Sequence, residues 1–436
     1  MSKLEKNLGP FLLWGLGVGY VISGMYFGWN LGLPRGGSFG FLMATLFIIV
    51  LYITFTFSYT ELACAIPRAG GAFDYANFTL NHHFGYIAGI AQIIEFVFAP
   101  PAIAVAIGAY LNLFFPSIPI LVAAIGSYFV FTALNIFAVK MAAFFELIVT
   151  ILAVSALLLF AAIALPHFQF SNLNKNPLPN GISGIFASLP FAIWFFLAIE
   201  GIANVAEEVI NPQKNILLGF GFALLTLVFL CILTFFSSIG INGWESIVYI
   251  SGTKEMSDSP LPLALASIIG KNSFYYQIIV FVGLLGLIAS FHGILLASGR
   301  ATYEFARVGY APKVFGNINA RYHTPANALL GNAILGILAL LTGKTAEIIT
   351  LACFGALTLY IISMVSLFYL RKDHSHIKSS FRVPFFPITP FIAFLFAIIA
   401  LFSLMIFHFE IGMIYLFTLT LAYSYFYFYL KDKKHV

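Results

Sequence analysis

Charge is what this sequence has least of. Only 8% of its 436 residues are Asp, Glu, Lys or Arg, against about 25% in an ordinary soluble chain. Twenty-one basic and 16 acidic side chains cannot cover a water-facing surface of this size, which excludes a soluble globular protein. Cysteine is equally scarce. Cys64, Cys231 and Cys353 each lie inside or at the end of an apolar run, where they read as small buried hydrophobes, and a disulfide framework or CxxC metal site is excluded. There is no Walker loop, HExxH or GxSxG, and the nine histidines are scattered. A polytopic membrane enzyme would cluster His or carboxylates beside a catalytic loop, and a channel or sensor would show a polar pore-lining repeat or an attached signalling domain. Neither pattern is present, so no catalytic residue, cofactor, metal or nucleic-acid partner is expected. No small-residue cleavage pattern follows Lys3 and Lys6, so the first apolar run reads as a retained span.

What the chain has in abundance is apolar residues, at 61%. A spanning helix takes about 20 of them. Apolar stretches between turn and charge clusters predict an all-α integral membrane protein of twelve spans, near 11–33, 40–66, 85–113, 118–138, 141–165, 182–206, 216–240, 273–298, 326–342, 346–370, 385–407 and 411–430. With the N-terminus inside, the cytoplasmic loops hold sixteen basic residues (Lys3, Lys6, Arg68, Lys140, Lys214, Arg300, Arg307, Lys313, Arg321, Arg371, Lys372, Lys378, Arg382, Lys431, Lys433 and Lys434). The opposite face holds five, namely Arg35, Lys175, Lys254, Lys271 and Lys344. This asymmetry predicts both termini in the cytoplasm and accounts for the net charge of +5 by topology. The longer loops, 167–181, 241–272 and 300–325, are expected to carry at most short helices.

Two spans look interrupted. The first, GLGVGYVISGMYFGWNLGL, has Ser23-Gly24 at its centre, and the sixth, FAIWFFLAIEGIANVAEEV, has Glu200-Gly201 deep within it. Gly is common in membrane helices and by itself signals close packing; a matching break in the sixth span points further. Spans 1–5 (about 11–165) and 6–10 (about 182–370) then read as two inverted halves with their first helix broken, followed by two extra helices (about 385–430).

Unwinding in mid-membrane frees backbone groups that hydrocarbon cannot satisfy, so such breaks face a cavity or a ligand. A half-helix N-terminus offers N–H groups to an anion and the preceding carbonyls accept from an ammonium, which suits a zwitterionic amino acid. Candidate substrate contacts are therefore Ile22, Ser23, Gly24 and Met25 in the first span and Trp194, Phe195, Leu197, Ala198 and Ile199 in the sixth. The Trp194 indole can stack on an ammonium or close the path above it. Glu95, before a Pro100-Pro101 pair expected to kink the third span, is the leading candidate to bind an ammonium or a proton. Glu200, Glu146 and His292 are the other intramembrane titratable groups and candidates for coupling or gating; Glu200 reads equally as a structural carboxyl on freed amides. Ser290 could contribute an oxygen to a sodium site. The residues leave proton and sodium coupling open, with the proton favoured.

Four stretches carry a resemblance over essentially the whole chain: GVGYVISGMYFGWN (17–30), TELACAIPRAGGAFDYA (60–76), FAIWFFLAIEGIANVAEEVINPQKN (191–215) and ASGRATYEFARVGYAPKVFGNINARYHTP (297–325). They resemble the amino acid-polyamine-organocation (APC) permeases. That resemblance implies a LeuT-type 5+5 inverted repeat with discontinuous helices 1 and 6, and a multi-pass transporter of the cytoplasmic membrane working by alternating access. It further implies that Ser23 and Gly24 cradle a substrate carboxylate, that the Ile22 and Ile199 carbonyls meet the ammonium, that Trp194 occludes, and that PRAGGAFDY and Glu207–Pro212 serve gating and folding. YVISGMYFGWNLGL and LPFAIWFFLAIEG are similar to the bacterial ethanolamine-permease branch, in which an acidic residue commonly follows the first-span Ser-Gly; here Met25 stands there. The expected cargo is an amino acid or related small amine, with a proton as the coupling ion and lipid as the surround. Ethanolamine transport and exchange are the alternatives.

Overall fold

The computed structural model describes residues 6, 8–137, 142–250, 252–374, 376–377 and 379–430. Of the basic residues that set the expected topology, Lys3, Lys140, Lys378, Lys431, Lys433 and Lys434 lie outside them.

Among the described residues the chain is built of helices, without a named strand. In chain order these are α1 (Pro10–Val21), α2 (Ser23–Tyr26), α3 (Leu33–Ala65), α4 (Ala72–Thr79), α5 (His82–Phe114), α6 (Ile120–Phe137) and α7 (Ala142–Ala164). Then follow α8 (Phe170–Leu173), α9 (Gly181–Ala187), α10 (Leu189–Ile193), α11 (Pro212–Asn242), α12 (Glu245–Val248), α13 (Pro260–Ile269) and α14 (Phe274–Arg307). The last four are α15 (Ala326–Leu340), α16 (Thr345–Asp373), α17 (Ile388–Phe407) and α18 (Phe409–Tyr425).

Nine helices among the described residues are long and apolar enough to cross a membrane. Three expected spans fall short of that length. The first and sixth are broken, and α15 has 15 residues, about 22 Å at a rise of about 1.5 Å per residue, against a hydrocarbon core of about 30 Å.

Local chemistry explains the helix ends. The Asn81 side chain caps α5 by accepting from the His83 and Phe84 amides, and prolines occupy the first turns of α1, α3, α11 and α13. α5 runs as one continuous helix through Pro100-Pro101, where the prolines leave the Phe96 and Val97 carbonyls without their i+4 donors, the local cause of the bend expected there. The second span begins earlier than expected, at Leu33, because a single non-helical residue, Gly37, joins a leading turn to the main helix. The 241–272 loop carries α12 and α13, and the 300–325 loop a 3-10 turn at Lys313–Gly316.

The bundle is graded from centre to lipid. The apolar windows of α5 and α16 are 78% buried and that of α14 72%, whereas those of α17 and α18 are 33% and 22% buried. α5 packs on α14 and α16, and α1 on α7, α11 and α14. Residues 13 to 33 and 188 to 206 are almost continuously buried, so the two broken segments form the inside of the protein. Exposed Phe402, Ile406, Phe409, Phe417 and Leu421 on α17 and α18 are the side chains a lipid surround would cover.

One end of the bundle is tied by a buried carboxylate. Glu61, near the end of α3, accepts from Arg371 Nε at 2.8 Å, Arg371 Nη2 at 2.7 Å and the Val383 amide at 2.6 Å, while the guanidinium lies 4.1 Å over the Phe386 ring. Replacing the acid strands that donor set. Glu61→Gln is expected to cost about 2–3 kcal/mol, read as a lowered melting midpoint of the detergent-solubilised protein; an unchanged midpoint would show that the 379–387 connection is held by other contacts.

Candidate functional site

The first break starts where α1 ends at Val21. Ile22 closes α1 through its amide to Val18 O (2.8 Å), Met25 N bonds Ile22 O (3.0 Å), and Phe27 N bonds Ser23 O (3.1 Å), giving a single turn before the chain extends at Phe27. Gly28, at φ 87°, redirects it into the turn Trp29–Gly32. The second break lies a few residues before the expected Glu200-Gly201. α10 ends at Ile193, the chain turns through Trp194–Ala198, and Ala198 takes a left-handed conformation (φ 75°) before a 3-10 segment, Ile199–Glu208. For a residue with a Cβ that conformation costs about 1–2 kcal/mol, held here by the packing around it.

The two breaks meet. A Cβ on Gly24 would collide with the Trp194 carbonyl oxygen and come within 3.1 Å of the Phe195 Cα, so glycine is what lets the backbones touch. Trp194 Nε1 donates to Phe27 O at 3.0 Å, and the indole packs edge-on against the Phe27 ring, centroids 5.5 Å apart. From α14, Ser290 Oγ donates to Tyr20 O at 2.6 Å and sits 2.8 Å from Ser23 Oγ, tying the hydroxyl at the first break to the neighbouring helix.

Beside this junction is a small cavity lined by Tyr20, Val21, Ser23, Ala99, Ile103, Trp194, Leu197 and Ile294. Its room for water centres is about 10 Å³, roughly one molecule, and every residue on its wall is buried. The lining comes from the two breaks, α5 and α14. Of the residues singled out in the sequence, Ser23, Trp194 and Leu197 are on the wall. Ile22, Gly24, Met25, Ala198 and Ile199 are buried at the junction, where their backbone forms the breaks. Two side chains point elsewhere. The Phe195 ring stacks on Trp29 (5.5 Å) and packs against Phe41. Glu95, one helical turn before Ala99, is fully buried and off the cavity wall. Tyr20, Val21, Ala99, Ile103 and Ile294 were missed. The i, i+4 steps 95/99/103 and 290/294 place Ala99, Ile103 and Ile294 on faces already marked by Glu95 and Ser290; Tyr20 and Val21 directly precede the first break.

The remaining titratable candidates form two groups. Glu200 Oε2 accepts from Tyr360 Oη at 3.0 Å, which pairs with Tyr52 Oη at 3.0 Å. Glu146 on α7 lies 3.6 Å from His292 Nδ1 on α14, tight against α1, where a Cβ on Gly19 would sit 2.6 Å from Glu146 Oε1. Around Glu208 the strands of chain are laced together: Arg300 pairs with Glu208 at 2.8 Å, the Ala69 amide donates to Glu207 at 3.2 Å, and Leu8 exchanges backbone bonds with Glu208 and Ile210, both 3.0 Å. The PRAGG loop is thereby fastened to the end of the second broken segment. Among the described residues no group of three or more His, Cys, Asp or Glu is placed to hold a metal.

Long apolar helices enclosing two broken, mutually contacting segments and a small internal cavity define a multi-pass helical membrane protein. Comparison with known proteins sharpens this. A family model described as amino acid permease matches residues 8–423, and the chain belongs to that family within the APC superfamily; it is a membrane transporter. It is 28% identical to an uncharacterized transporter of Rhizobium meliloti (strain 1021), over 88% of this chain and 84% of that protein. It is 25% identical to a methylthioribose transporter of Bacillus subtilis (strain 168), covering 90% and 87%, and 26% identical to a branched-chain amino acid permease of the same organism, covering 92% and 89%.

Two substitutions separate the roles at the junction. Gly24→Val drives a side chain into the Trp194 carbonyl and is expected to abolish uptake and lower the melting midpoint together, because the breaks must part. Ser23→Ala removes one hydroxyl bonded to Ser290 and is expected to weaken substrate affinity about tenfold, equivalent to about 1.4 kcal/mol, with the midpoint nearly unchanged. Wild-type affinity in Ser23→Ala would remove that hydroxyl from the site.

Proposed function

We propose that this permease is a secondary transporter of neutral amino acids with apolar side chains, driven by protons and working by alternating access in the cytoplasmic membrane. The observation that carries the reading is the closed cavity at the junction of two facing breaks, with polar groups at its backbone edge and apolar side chains on its wall. The substrate carboxylate is taken by the amides and hydroxyl at Ser23-Gly24, where the turn's N-terminus favours an anion. Its ammonium is met by carbonyls at Ile22 and Ile199. Val21, Ala99, Ile103, Leu197 and Ile294 then surround the side chain, at about 25 cal/mol per Å² of apolar surface covered.

The architecture of the proposal is twelve spans: the nine long helices, the two broken ones and α15. Spans 1–5 and 6–10 are related as inverted halves, with both termini in the cytoplasm. In that frame the Arg300–Glu208 pair and the Ala69–Glu207 bond close the cytoplasmic side, and Trp194 on Phe27 closes the other. Each is a small set of contacts that one state makes and the opposite state breaks, as alternating access demands.

Two features favour an amino acid over ethanolamine. Met25 supplies no counter-ion after Ser23-Gly24, and Glu95 is off the cavity wall, whereas an amino acid brings its own carboxylate. The branched-chain amino acid permease among the relatives has a name that accords with the apolar wall.

The test is uptake by the purified protein in proteoliposomes of labelled neutral, cationic and acidic amino acids and ethanolamine, with and without an inward proton gradient. Gradient-stimulated uptake of aliphatic amino acids, several-fold above the rest, is the expected result. Uptake confined to ethanolamine, or stimulation by sodium alone, would overturn the substrate or the drive respectively.

A further inference from the structure

Among the described residues, Glu146 on α7 and His292 on α14 are the one acid–base pair with both side chains buried, 2% and 10% exposed. Glu146 Oε2 lies 3.6 Å from His292 Nδ1, and neither these atoms nor Glu146 Oε1 has a hydrogen-bond partner among the described residues. What surrounds the pair is small or uncharged. α1 lays Gly19 against the carboxyl, where a Cβ would sit 2.6 Å from Oε1 and 2.7 Å from Thr150 Oγ1. α14 does the same with Gly293, whose Cβ would meet Oε1 at 3.1 Å and the Tyr20 ring at 2.6 Å. α6 brings Asn135, whose Nδ2 donates to His292 O at 3.2 Å, and the Phe131 ring edge-on to the imidazole. Tyr20 is the titratable neighbour, and the charged groups beyond it, Arg300 and Glu208, pair with each other at 2.8 Å. A carboxylate closed in by glycine backbone has no room for water, so its burial is costly unless the charge is matched. One proton on the pair matches it, as carboxylate with imidazolium or as acid with imidazole; with none, an unpaired negative charge faces α1.

We propose that Glu146 and His292 together hold the coupling proton, and that its loss parts α1 from α7. This rests on the proposed proton-driven transport and gives that proton a place. The position of the pair ties it to both breaks. Gly19 is followed by Tyr20 of the cavity wall, whose ring would also stand 3.0 Å from a Cβ on Gly201 in the second broken segment. His292 follows Ser290 by two residues, and Ser290 bonds Tyr20 O and Ser23 Oγ. With the proton bound, α1 seats on the neutral pair and the wall is complete. Without it, the carboxylate draws in water, α1 moves off α7 and the wall opens at Tyr20. The step is a proton transfer alone. The imidazole, the less buried partner, takes a proton from water on one ring nitrogen and passes the one on Nδ1 to the carboxylate. One N–H bond forms as another breaks, one O–H bond forms on Glu146, and release to the other aqueous side reverses these with no electron moved.

The experiment uses the full-length protein with Glu146→Gln and His292→Gln. In proteoliposomes holding a pH-sensitive dye, wild-type uptake of labelled amino acid should acidify the lumen by one proton per amino acid. Both variants should lose that acidification. Glu146→Gln, neutral like the proton-loaded acid, should still exchange labelled for unlabelled amino acid, at a rate that no longer varies with pH. Acidification surviving in either variant overturns the assignment. Hydrogen exchange of the purified protein, read on Pro10–Val21 and corrected for the intrinsic effect of pH, gives a readout free of transport. In the wild type it should rise several-fold with pH as the pair loses its proton, and in Glu146→Gln it should stay low throughout. Exchange that is flat in the wild type, a result that needs no variant, or that rises equally in Glu146→Gln, overturns the site. If the wild type moves no amino acid but exchange on α1 follows the proton, the transport reading fails and the site stands. If coupled uptake holds while exchange on α1 is flat, the site alone fails, and wild-type uptake without acidification overturns both.

Discussion

The structure depends on one constraint: backbone amides and carbonyls freed inside hydrocarbon must find partners. Each of two helices stops short in the middle of the bundle, and each helps satisfy the other. Gly24 admits the Trp194 carbonyl, and the Trp194 indole returns a bond to Phe27 O. The surrounding packing follows from this contact. α14 reaches it through Ser290 to Tyr20 O and Ser23 Oγ, α5 lays Ala99 and Ile103 along it, and α16 holds Glu200 through Tyr360. The most buried helices, α5, α14 and α16, are among those that reach the breaks, and the least buried, α18, faces outward.

Such a junction is stable only while every member is in place, which is what the proposed alternating access requires of a switch. Its bonds are few and individually worth about 1 kcal/mol, whereas the aromatic packing of Trp29, Phe41, Phe195 and Phe235 beside it is a broad apolar contact that resists small shifts. Ala198 holds a left-handed backbone at a cost of about 1–2 kcal/mol, so the second break carries some strain that its surroundings offset. A segment balanced in this way can be moved by a ligand or a single charge.

Much of this was legible in the sequence because the membrane leaves few alternatives. Sparse charge and long apolar runs led to helices at nearly every expected place, and the first span is interrupted beside the expected Ser23-Gly24, at Ile22, with the chain extending only at Phe27. The sixth-span break lies upstream of Glu200-Gly201 because the chain turns through Trp194–Ala198, with Ala198, a residue with no propensity for left-handed backbone, at φ 75°. The side-chain direction of Phe195 and Glu95 was hidden as well. Spacing along one helix tells which residues share a face, as 95, 99 and 103 do, but not which neighbour that face meets.

Glu95 illustrates what that missing information changes. Read alone in a helix, a buried carboxylate invites a cationic substrate. In the bundle it is fully buried and off the cavity wall, which Ala99 and Ile103 of the same helix line instead. The same residue thus stays one helical turn away from a wall made mostly of apolar side chains. For the proposed transporter, separation of that kind lets the cavity select cargo by shape and apolar contact.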